Sequence, residues 1–226
     1  MKWILFITLA AASFISAQTM RVQKIKGNVS AQIGTNENWT KVNPDESFPI
    51  NSIIETGKNS SVQIIAGNIN FTLQGSSALP LTNLKKMSLN DLILALAMED
   101  MLNAPKKRQE ANSRNTAVYG AQINGIKSPI VETDDFGVKR LNGAVQLAEN
   151  GFKESAVVDA KETYRKYPNT NNIASFRIYF ANILADLGLN EDAYDEFKQI
   201  EYLKLTSGQK QEVKDKMHTL TVNLMK

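Results

Sequence analysis

The stretch from residue 22 to residue 81 constrains the fold more than any other, because turn residues divide it into short β-type runs. Turn signals stand at 43–45 (Asn-Pro-Asp), 56–59 (Thr-Gly-Lys-Asn), 66–68 (Ala-Gly-Asn) and 75–77 (Gly-Ser-Ser). Between these turns apolar and polar residues alternate, as in Val62-Gln63-Ile64. This is the period of a strand with one buried face, so the pattern predicts a small antiparallel all-β unit with one face in water.

Three positions in this stretch carry more specific expectations. Gly27-Asn28 is typical of a hairpin turn. Gly57, which follows Thr56, is expected where the backbone needs a positive φ. Trp39 is best explained as a core or covering residue, with stacking on a ligand as the alternative.

The first 17 residues have the layout of a secretory signal peptide. Lys2 supplies the positive start, residues 3–15 are apolar, and Ala17 is a small residue at the expected cleavage point before Gln18. The apolar run is shorter than the ~20 residues of a spanning helix, which favours cleavage over a membrane anchor. We therefore expect an exported protein.

Charge and cysteine content narrow the function classes. The 226 residues include 26 Lys and Arg against 23 Asp and Glu. This small excess predicts no nucleic-acid partner. Without any cysteine, this chain offers no disulfide, no thiol catalyst, no thiolate metal ligand and no acylated cysteine of a lipoprotein.

Residues 88–103 predict a helix. Ser88 is a candidate cap, Asp91 follows near the positive end of the helix dipole, and Pro105 ends the pattern. The apolar positions are Leu89, Leu92, Ile93, Leu96, Ala97 and Leu102. We expect this helix to close the edge of the β unit; the alternative is a helix that binds a partner.

Residues 105–137 have the composition of a solvated linker. Lys106-Lys107-Arg108, with Arg114, forms a basic cluster for which weak contact with phosphate or with anionic lipid at the envelope surface is the alternative. Residues 116–120 and 130–131 are candidates for short extended pieces. Asp134-Asp135 is expected to begin a helix rather than to bind a cation.

From residue 136 onward the apolar period becomes helical, and one pattern occurs twice. Gly151 precedes Ala156, and Gly188 precedes Ala193, so that the two alanines are 37 residues apart. Pro168 follows Ala156 by twelve residues. Helices are predicted at 138–150, 153–167, 173–187, 191–203 and 207–224, the last covering the open end of the stack.

The first half resembles a FecR-type domain over about 60 residues. The matching residues are Gly27, Val29, Trp39, Ile53, Thr56, Gly57, Ser60, Ser61, Gln63, Ile64, Gly67, Ile69 and Leu73. Ile50-Asn51 stands where Gly-Asp is usual, and Ala66-Gly67-Asn68 replaces Asp-Gly-Ser. The resemblance implies an extracytoplasmic β domain without catalytic residues, with the periplasm as the expected compartment and the extracellular space as the alternative.

The second half resembles the tetratricopeptide repeat over about 70 residues, with three extra residues within 168–173. Gly143-Ala144 and Leu147 stand where a larger first residue is usual, and Leu205 replaces the second proline. The resemblance implies a stack of helical hairpins that binds a protein partner. Its aromatic positions, expected mainly in the core and otherwise on a concave binding face, are Tyr164, Phe176, Tyr179, Phe180, Tyr194 and Tyr202.

No constellation of reactive residues accompanies these patterns. His218, the single histidine, has no ligand or triad pattern beside it, and is expected to be a structural helix residue. Glu191-Asp192 and Asp195-Glu196 are expected to favour the dipole of their helix. Gly120 and Gly125 have the spacing of a P-loop without its following Lys-Ser/Thr. We predict no catalytic, cofactor-binding or metal-ligating residue.

Together these features predict a multidomain β plus α protein. Its parts are a signal peptide at 1–17, a FecR-like β domain with its closing helix at 20–104, a linker at 105–137 and a TPR-like helical domain at 138–226. The favoured function is a non-enzymatic, exported binding or scaffold protein. The alternatives are a sensor of FecR type linked to iron uptake or envelope regulation, and a hydrolase with an unrecognised site.

Overall fold

The structure is a computed structural model that describes residues 19–103, 122–123 and 126–225. The expected signal peptide, the basic cluster at 106–108 with Arg114, the extended piece at 116–120 and both glycines of the P-loop spacing lie outside the described residues.

Eight strands form the predicted antiparallel β unit, in two four-stranded sheets. The strands are β1 (Thr19–Lys26), β2 (Val29–Ile33), β3 (Trp39–Lys41), β4 (Ser47–Pro49), β5 (Ser52–Thr56), β6 (Ser61–Ala66), β7 (Ile69–Leu73) and β8 (Ser77–Pro80). One sheet has the order β4-β1-β6-β7 and the other β3-β2-β5-β8. Both contribute to one core because alternate side chains, such as Val62 and Ile64, point inward.

The two glycine expectations in this unit are wrong. Gly27-Asn28 connects β1 to β2, but these strands belong to different sheets, so the turn is a crossover rather than a hairpin. Gly27 has a φ of 74°, and Gly57 is not among the described positive-φ residues. In the turn after β5 the left-handed residue is Asn59, with a φ of 53°, and asparagine is one of the few non-glycine residues that tolerate this conformation.

Six α-helices follow in the described residues. They are α1 (Leu89–Asn103), α2 (Phe136–Glu149), α3 (Lys153–Lys166), α4 (Ala174–Asp186), α5 (Asn190–Ile200) and α6 (Ser207–Leu224), with 3-10 turns at Leu81–Asn83 and Pro168–Asn172. A short ladder joins β9 (Gln122–Ile123) to β10 (Ile126–Lys127). The predicted helices are confirmed to within three residues at each end. None of the described helices is both long and apolar enough to cross a bilayer.

Start signals are confirmed at two helices. The Ser88 hydroxyl accepts a hydrogen bond from the Asp91 amide, and the Asp91 carboxylate accepts one from the Ser88 amide, each at 3.2 Å. The Ser88 hydroxyl also donates to the Asp91 carboxylate at 2.7 Å, and this hydrogen bond is the main reason that the pKa of Asp91 lies below its usual range. Asp135 caps α2 by accepting from the Val138 amide at 2.9 Å.

The two repeated glycines end α2 and α4 in the same way. Gly151 and Gly188 have φ values of 85° and 82°. The amides of the next residues, Phe152 and Leu189, each donate to a carbonyl five residues back at 3.0 Å. This is the Schellman arrangement, which turns the chain into the second helix of a hairpin. Hairpins α2–α3 and α4–α5 follow, and α6 packs on α5 at the end of the stack.

The helix α1 lies mainly against α3, in the helical layer, and not chiefly along the β unit as expected of a closing helix. Leu92 and Leu96 form its buried stripe. Arg165 of α3 donates to Glu99 of α1 at 3.2 Å, and the Ser155 hydroxyl donates to the Lys85 carbonyl just before α1 at 2.7 Å. These contacts favour α3 over the sheets as the support of α1.

The helix α2 joins the helical layer to the strand β8. The Asn142 amide group donates to the Ser76 carbonyl at 2.6 Å. Gln146 donates to the Ser77 hydroxyl and accepts from the Gln74 amide, both at 2.7 Å. All four residues of β8 are buried. The apolar residues of the sheets and of the helices form one continuous core.

Residues 128–135, in the expected linker, pack onto α2 and β5–β6. The Asn142 side chain accepts from the Val131 amide at 3.1 Å and donates to the Val131 carbonyl at 2.6 Å. Both backbone groups of Val131 are thus hydrogen-bonded by this side chain, as a neighbouring strand would do in a sheet. Lys58, in the turn between β5 and β6, lies 3.6 Å from Glu132 and 3.5 Å from Asp134. The described molecule is a mixed β plus α protein whose layers share these contacts.

Candidate binding cleft

A polar cleft of about 400 Å³ opens on the helical layer, between α3, α4 and α5, with one residue of α1 on its wall. The lining residues are Leu96, Lys161, Tyr164, Arg165, Asn171, Arg177, Leu184, Asp192, Asp195, Glu196 and Gln199. The α-helical hairpin α4–α5 supplies six of them, because Arg177 and Leu184 share one face of α4 and the others share one face of α5. The volume lies within the range of ligand sites in proteins.

A buried ion cluster forms the floor of the cleft. Arg177 on α4 donates to one oxygen of Glu196 on α5, through Nη2 at 2.7 Å and Nε at 3.0 Å. Lys161 on α3 donates to the other oxygen of Glu196. Both oxygens of this carboxylate are therefore occupied, and three helices are held at one point.

The remaining donors of Arg177 are also used. Its guanidinium donates to the side-chain oxygen of Asn171 and, at 3.2 Å, to that of Gln199. It also lies over the ring of Tyr164, 5.5 Å from the centroid, in a cation–π contact. Arg177 is therefore fixed in orientation, and a ligand in the cleft would meet a rigid guanidinium rather than a mobile one.

Glu196 stays ionised in this cluster. Burial acts to raise the pKa of its carboxyl, but the charges of Lys161 and Arg177 and their hydrogen bonds outweigh burial and hold the pKa below its usual range. Lys161 and Arg177 share this one carboxylate, so the three side chains at the floor have a net charge of +1.

The hydroxyl of Tyr164 is a free donor at the same place. It is buried and has no hydrogen-bond partner among the described residues. Burial raises the pKa of Tyr164 far above its usual range, which keeps the proton on the oxygen. A void of about 10 Å³ between α3 and α4 shares Lys161, Tyr164, Leu184 and Glu196 with the cleft. This space is about the size of one water molecule, so the buried hydroxyl has room beside it for a single small polar partner.

The rim has a different charge from the floor. Asp192 and Asp195 line it from α5, and the Asp195 side chain is exposed. Arg165 on the opposite side is engaged by Glu99. A positive floor and an acidic rim suit a ligand with groups of both signs. No group of three or more potential metal ligands occurs in the part of the chain that the structure describes.

The residues singled out from sequence have distinct places. His218 is exposed on α6, away from the cleft. Phe176, Tyr179 and Phe180 are buried, as expected for core positions. Tyr164 lines the cleft, and Tyr202 is 85% exposed. The role expected of Glu196, favouring a helix dipole, is incomplete because its carboxylate forms the centre of the ion cluster.

Sequence reasoning missed Lys161 and Arg177. For Arg177 a signal was present, since it is the one charged residue between Ile173 and Leu184 in an otherwise largely apolar helix. A charge at a core-facing position requires a partner. For Lys161 no local signal exists, because its partner is 35 residues away.

Trp39 takes the expected covering position. Its ring packs edge-on against Phe136 at 5.5 Å, and Phe136 packs against Tyr167 at 5.7 Å. These rings connect β3 with the start of α2 and the end of α3. Trp39 remains 38% exposed.

Comparison with known proteins gives no neighbour. No family model, no curated protein and no solved structure matches this chain.

Proposed function

We propose that this chain is an exported, non-enzymatic scaffold protein that holds a segment of a partner protein in the cleft between α3, α4 and α5. The observation that carries the proposal is the cleft itself, with a rigid ion cluster at its floor. Its lining includes cations, carboxylates and two side-chain amides. This mixture complements the main chain and charged side chains of a peptide better than it complements a uniformly charged polymer.

The proposal includes the relationship of each layer to a family. We assign a FecR-like character to the β unit and a TPR-like character to the helices. Support for the helical assignment comes from the matching turns at Gly151 and Gly188, and from Ala156 and Ala193, which are both fully buried where paired helices approach. In this proposal the β unit and α2 form the rigid support, and the cleft is the binding element.

Photo-crosslinking in the cells that produce the protein tests the cleft directly. A photoreactive residue replaces Gln199, which is exposed and lines the cleft, or Gln211, which is exposed on α6 outside it. We expect a defined protein adduct from position 199 and none of the same mass from position 211. No adduct at 199, or the same adduct at both positions, contradicts the proposal.

A charge reversal at the rim supplies the matched control. Asp195→Lys changes an exposed carboxylate of the cleft, whereas Glu201→Lys makes the same change just beyond α5 and outside the cleft. The adduct from position 199 should decrease several-fold with Asp195→Lys and remain with Glu201→Lys. Equal adduct yields from both variants would place the partner elsewhere.

Export is tested separately by mass spectrometry of the purified chain. A mature chain that begins at Gln18 and fractionates with the periplasm supports the proposal. An intact Met1 on a cytoplasmic chain contradicts export. The crosslinking experiment then still tests whether the cleft binds a partner.

A further inference from the structure

The hydrogen-bond donors of Arg177 are all used inside the protein. A guanidinium has five N–H groups and no acceptor. Its Nε and Nη2 atoms donate to Glu196, and Nη2 donates also to the side-chain oxygen of Gln199. Its Nη1 atom donates to the side-chain oxygen of Asn171 and, at 3.4 Å, to the main-chain carbonyl of the same residue. No N–H group of Arg177 is therefore left for a molecule that enters the cleft.

Arg177 orients two side-chain amides that line the cleft, those of Asn171 and Gln199. Since the guanidinium only donates, the amide oxygen of each residue faces it, and the nitrogen of each amide points away from it. Among the described residues, neither amide nitrogen has a hydrogen-bond partner. Both residues are exposed, so these N–H groups are donors that a ligand can use.

The two amides are held in a fixed relation to each other, although they come from different elements. Asn171 lies in the 3-10 turn Pro168–Asn172, which precedes α4, and Gln199 lies near the end of α5. They bind the neighbouring Nη1 and Nη2 atoms of one planar group. Because the ion cluster already holds that group in place, the two donors are ordered before a ligand arrives, and binding costs less side-chain entropy.

The charges around these amides favour a neutral acceptor over a carboxylate. Asp195 precedes Gln199 by four residues on α5 and is exposed, so an anion bound at Gln199 would meet a like charge one helical turn away. The lining as a whole gives no net attraction for an anion, since its three cations are matched by three carboxylates. These are Lys161, Arg165 and Arg177 against Asp192, Asp195 and Glu196.

We propose that the amides of Asn171 and Gln199 donate to main-chain carbonyl oxygens of the segment held in the cleft. This inference rests on the proposed function, and adds the chemical group that the cleft binds and the residues that bind it. Arg177 is a positioning residue, because it acts only through the two amides. Every peptide segment has main-chain carbonyls, so these contacts supply affinity while the charged rim selects among side chains.

Asn171→Asp removes the donor but keeps the contact with Arg177. The new carboxylate still accepts from the guanidinium, but the atom that replaces the amide nitrogen is an acceptor and repels a carbonyl oxygen. In the chain with the photoreactive residue at 199, the adduct yield should fall about tenfold. Asn169→Asp makes the same change at an exposed position of the same turn, outside the lining, and should leave the yield unchanged. Equal losses from both variants would show an effect of charge alone and overturn the inference.

Gln199→Glu tests the second donor in the same way. Its reporter is a photoreactive residue in place of Arg165, on the opposite wall of the cleft, and the yield should again fall about tenfold. Gln23→Glu, at an exposed position of β1, is the control. Each cleft variant adds a carboxylate beside Arg177, so neither should lower the thermal unfolding midpoint. If Asn171→Asp does lower it, the yield from Gln199→Glu decides.

The outcomes separate this inference from the proposed function. No adduct from the parent reporter at 199 contradicts the proposed function and removes the inference with it. A parent adduct that both Asn171→Asp and Gln199→Glu leave unchanged overturns the inference alone. A parent adduct that Asp195→Lys increases shows that the segment presents a carboxylate, and overturns the assignment of a main-chain carbonyl.

Discussion

Gly143 of α2 lies directly against the backbone carbonyl of Ala78 in β8, and a Cβ at position 143 would overlap the carbonyl oxygen. The absence of a side chain allows the helix backbone to approach the strand this closely. Asn142 and Gln146, on the same side of α2, complete the junction with hydrogen bonds to Ser76 and Ser77. Close contact and polar pairing together fix the helical layer on the β unit.

Gly143→Ala should therefore lower the free energy of unfolding by about 2–3 kcal/mol, since the obstructing atom is backbone and the helix must move away. Gly208→Ala in α6 is the control, because open space surrounds Gly208. There the helix propensity of alanine should leave stability unchanged or raise it by up to ~1 kcal/mol. Urea denaturation measures both, and a stabilised Gly143→Ala variant would contradict the close approach.

The shared core predicts one cooperative unfolding transition. Trp39 is the only tryptophan once residues 1–17 are removed, and its contact with Phe136 places it where the layers meet. Trp39 fluorescence should change at the same denaturant concentration as the helical circular dichroism. Two separated midpoints would show instead that the layers unfold independently.

Much of this architecture could be predicted from sequence because it depends on local patterns. Alternation in residues such as Val62 to Ile64 located the strands, and Gly151 and Gly188 located the helical turns. The period of buried residues and the turn chemistry act over a few neighbours. Such signals survive in any tertiary context that buries one face.

The junction and the cleft depend on partners that are distant in sequence. Gly57 shows the limit, since Asn59 adopts the left-handed conformation in that turn, while the Gly57 amide donates to the Asn28 carbonyl at 2.9 Å. Glu196 was expected to favour the dipole of its helix, and only the packing of α3 and α4 against α5 brings Lys161 and Arg177 to its carboxylate. The packing of α1 on α3 could not be predicted either, because an apolar stripe does not specify the element against which it packs.

Lowering the pH should weaken the ion cluster around Glu196. The pKa of Glu196 lies below its ordinary value of 4.5 in the folded protein. The cluster therefore stabilises the fold fully above that value, and this stabilisation is lost as the pH falls through the lower, folded-state pKa. Glu196→Gln should lower the free energy of unfolding by about 3 kcal/mol at neutral pH. The deficit should shrink at pH values below 4.5.

Urea titrations at several pH values measure this change. Glu201→Gln, which neutralises an exposed carboxylate at the end of α5, provides the comparison and should differ little from the parent chain at any pH. A deficit for Glu196→Gln that stays constant from neutral to acidic pH would contradict an ionised Glu196.

The repeated turns provide the last prediction. Gly151 and Gly188 have positive φ values and no atom within contact of an added Cβ, so a substitution there is strained by conformation alone. Gly151→Ala and Gly188→Ala should each lower the free energy of unfolding by about 1–2 kcal/mol. Gly151→Asn and Gly188→Asn should cost less, because asparagine tolerates the left-handed region. Chemical denaturation of the four variants decides the matter: equal losses for alanine and asparagine would show that space, rather than backbone conformation, requires glycine at both turns.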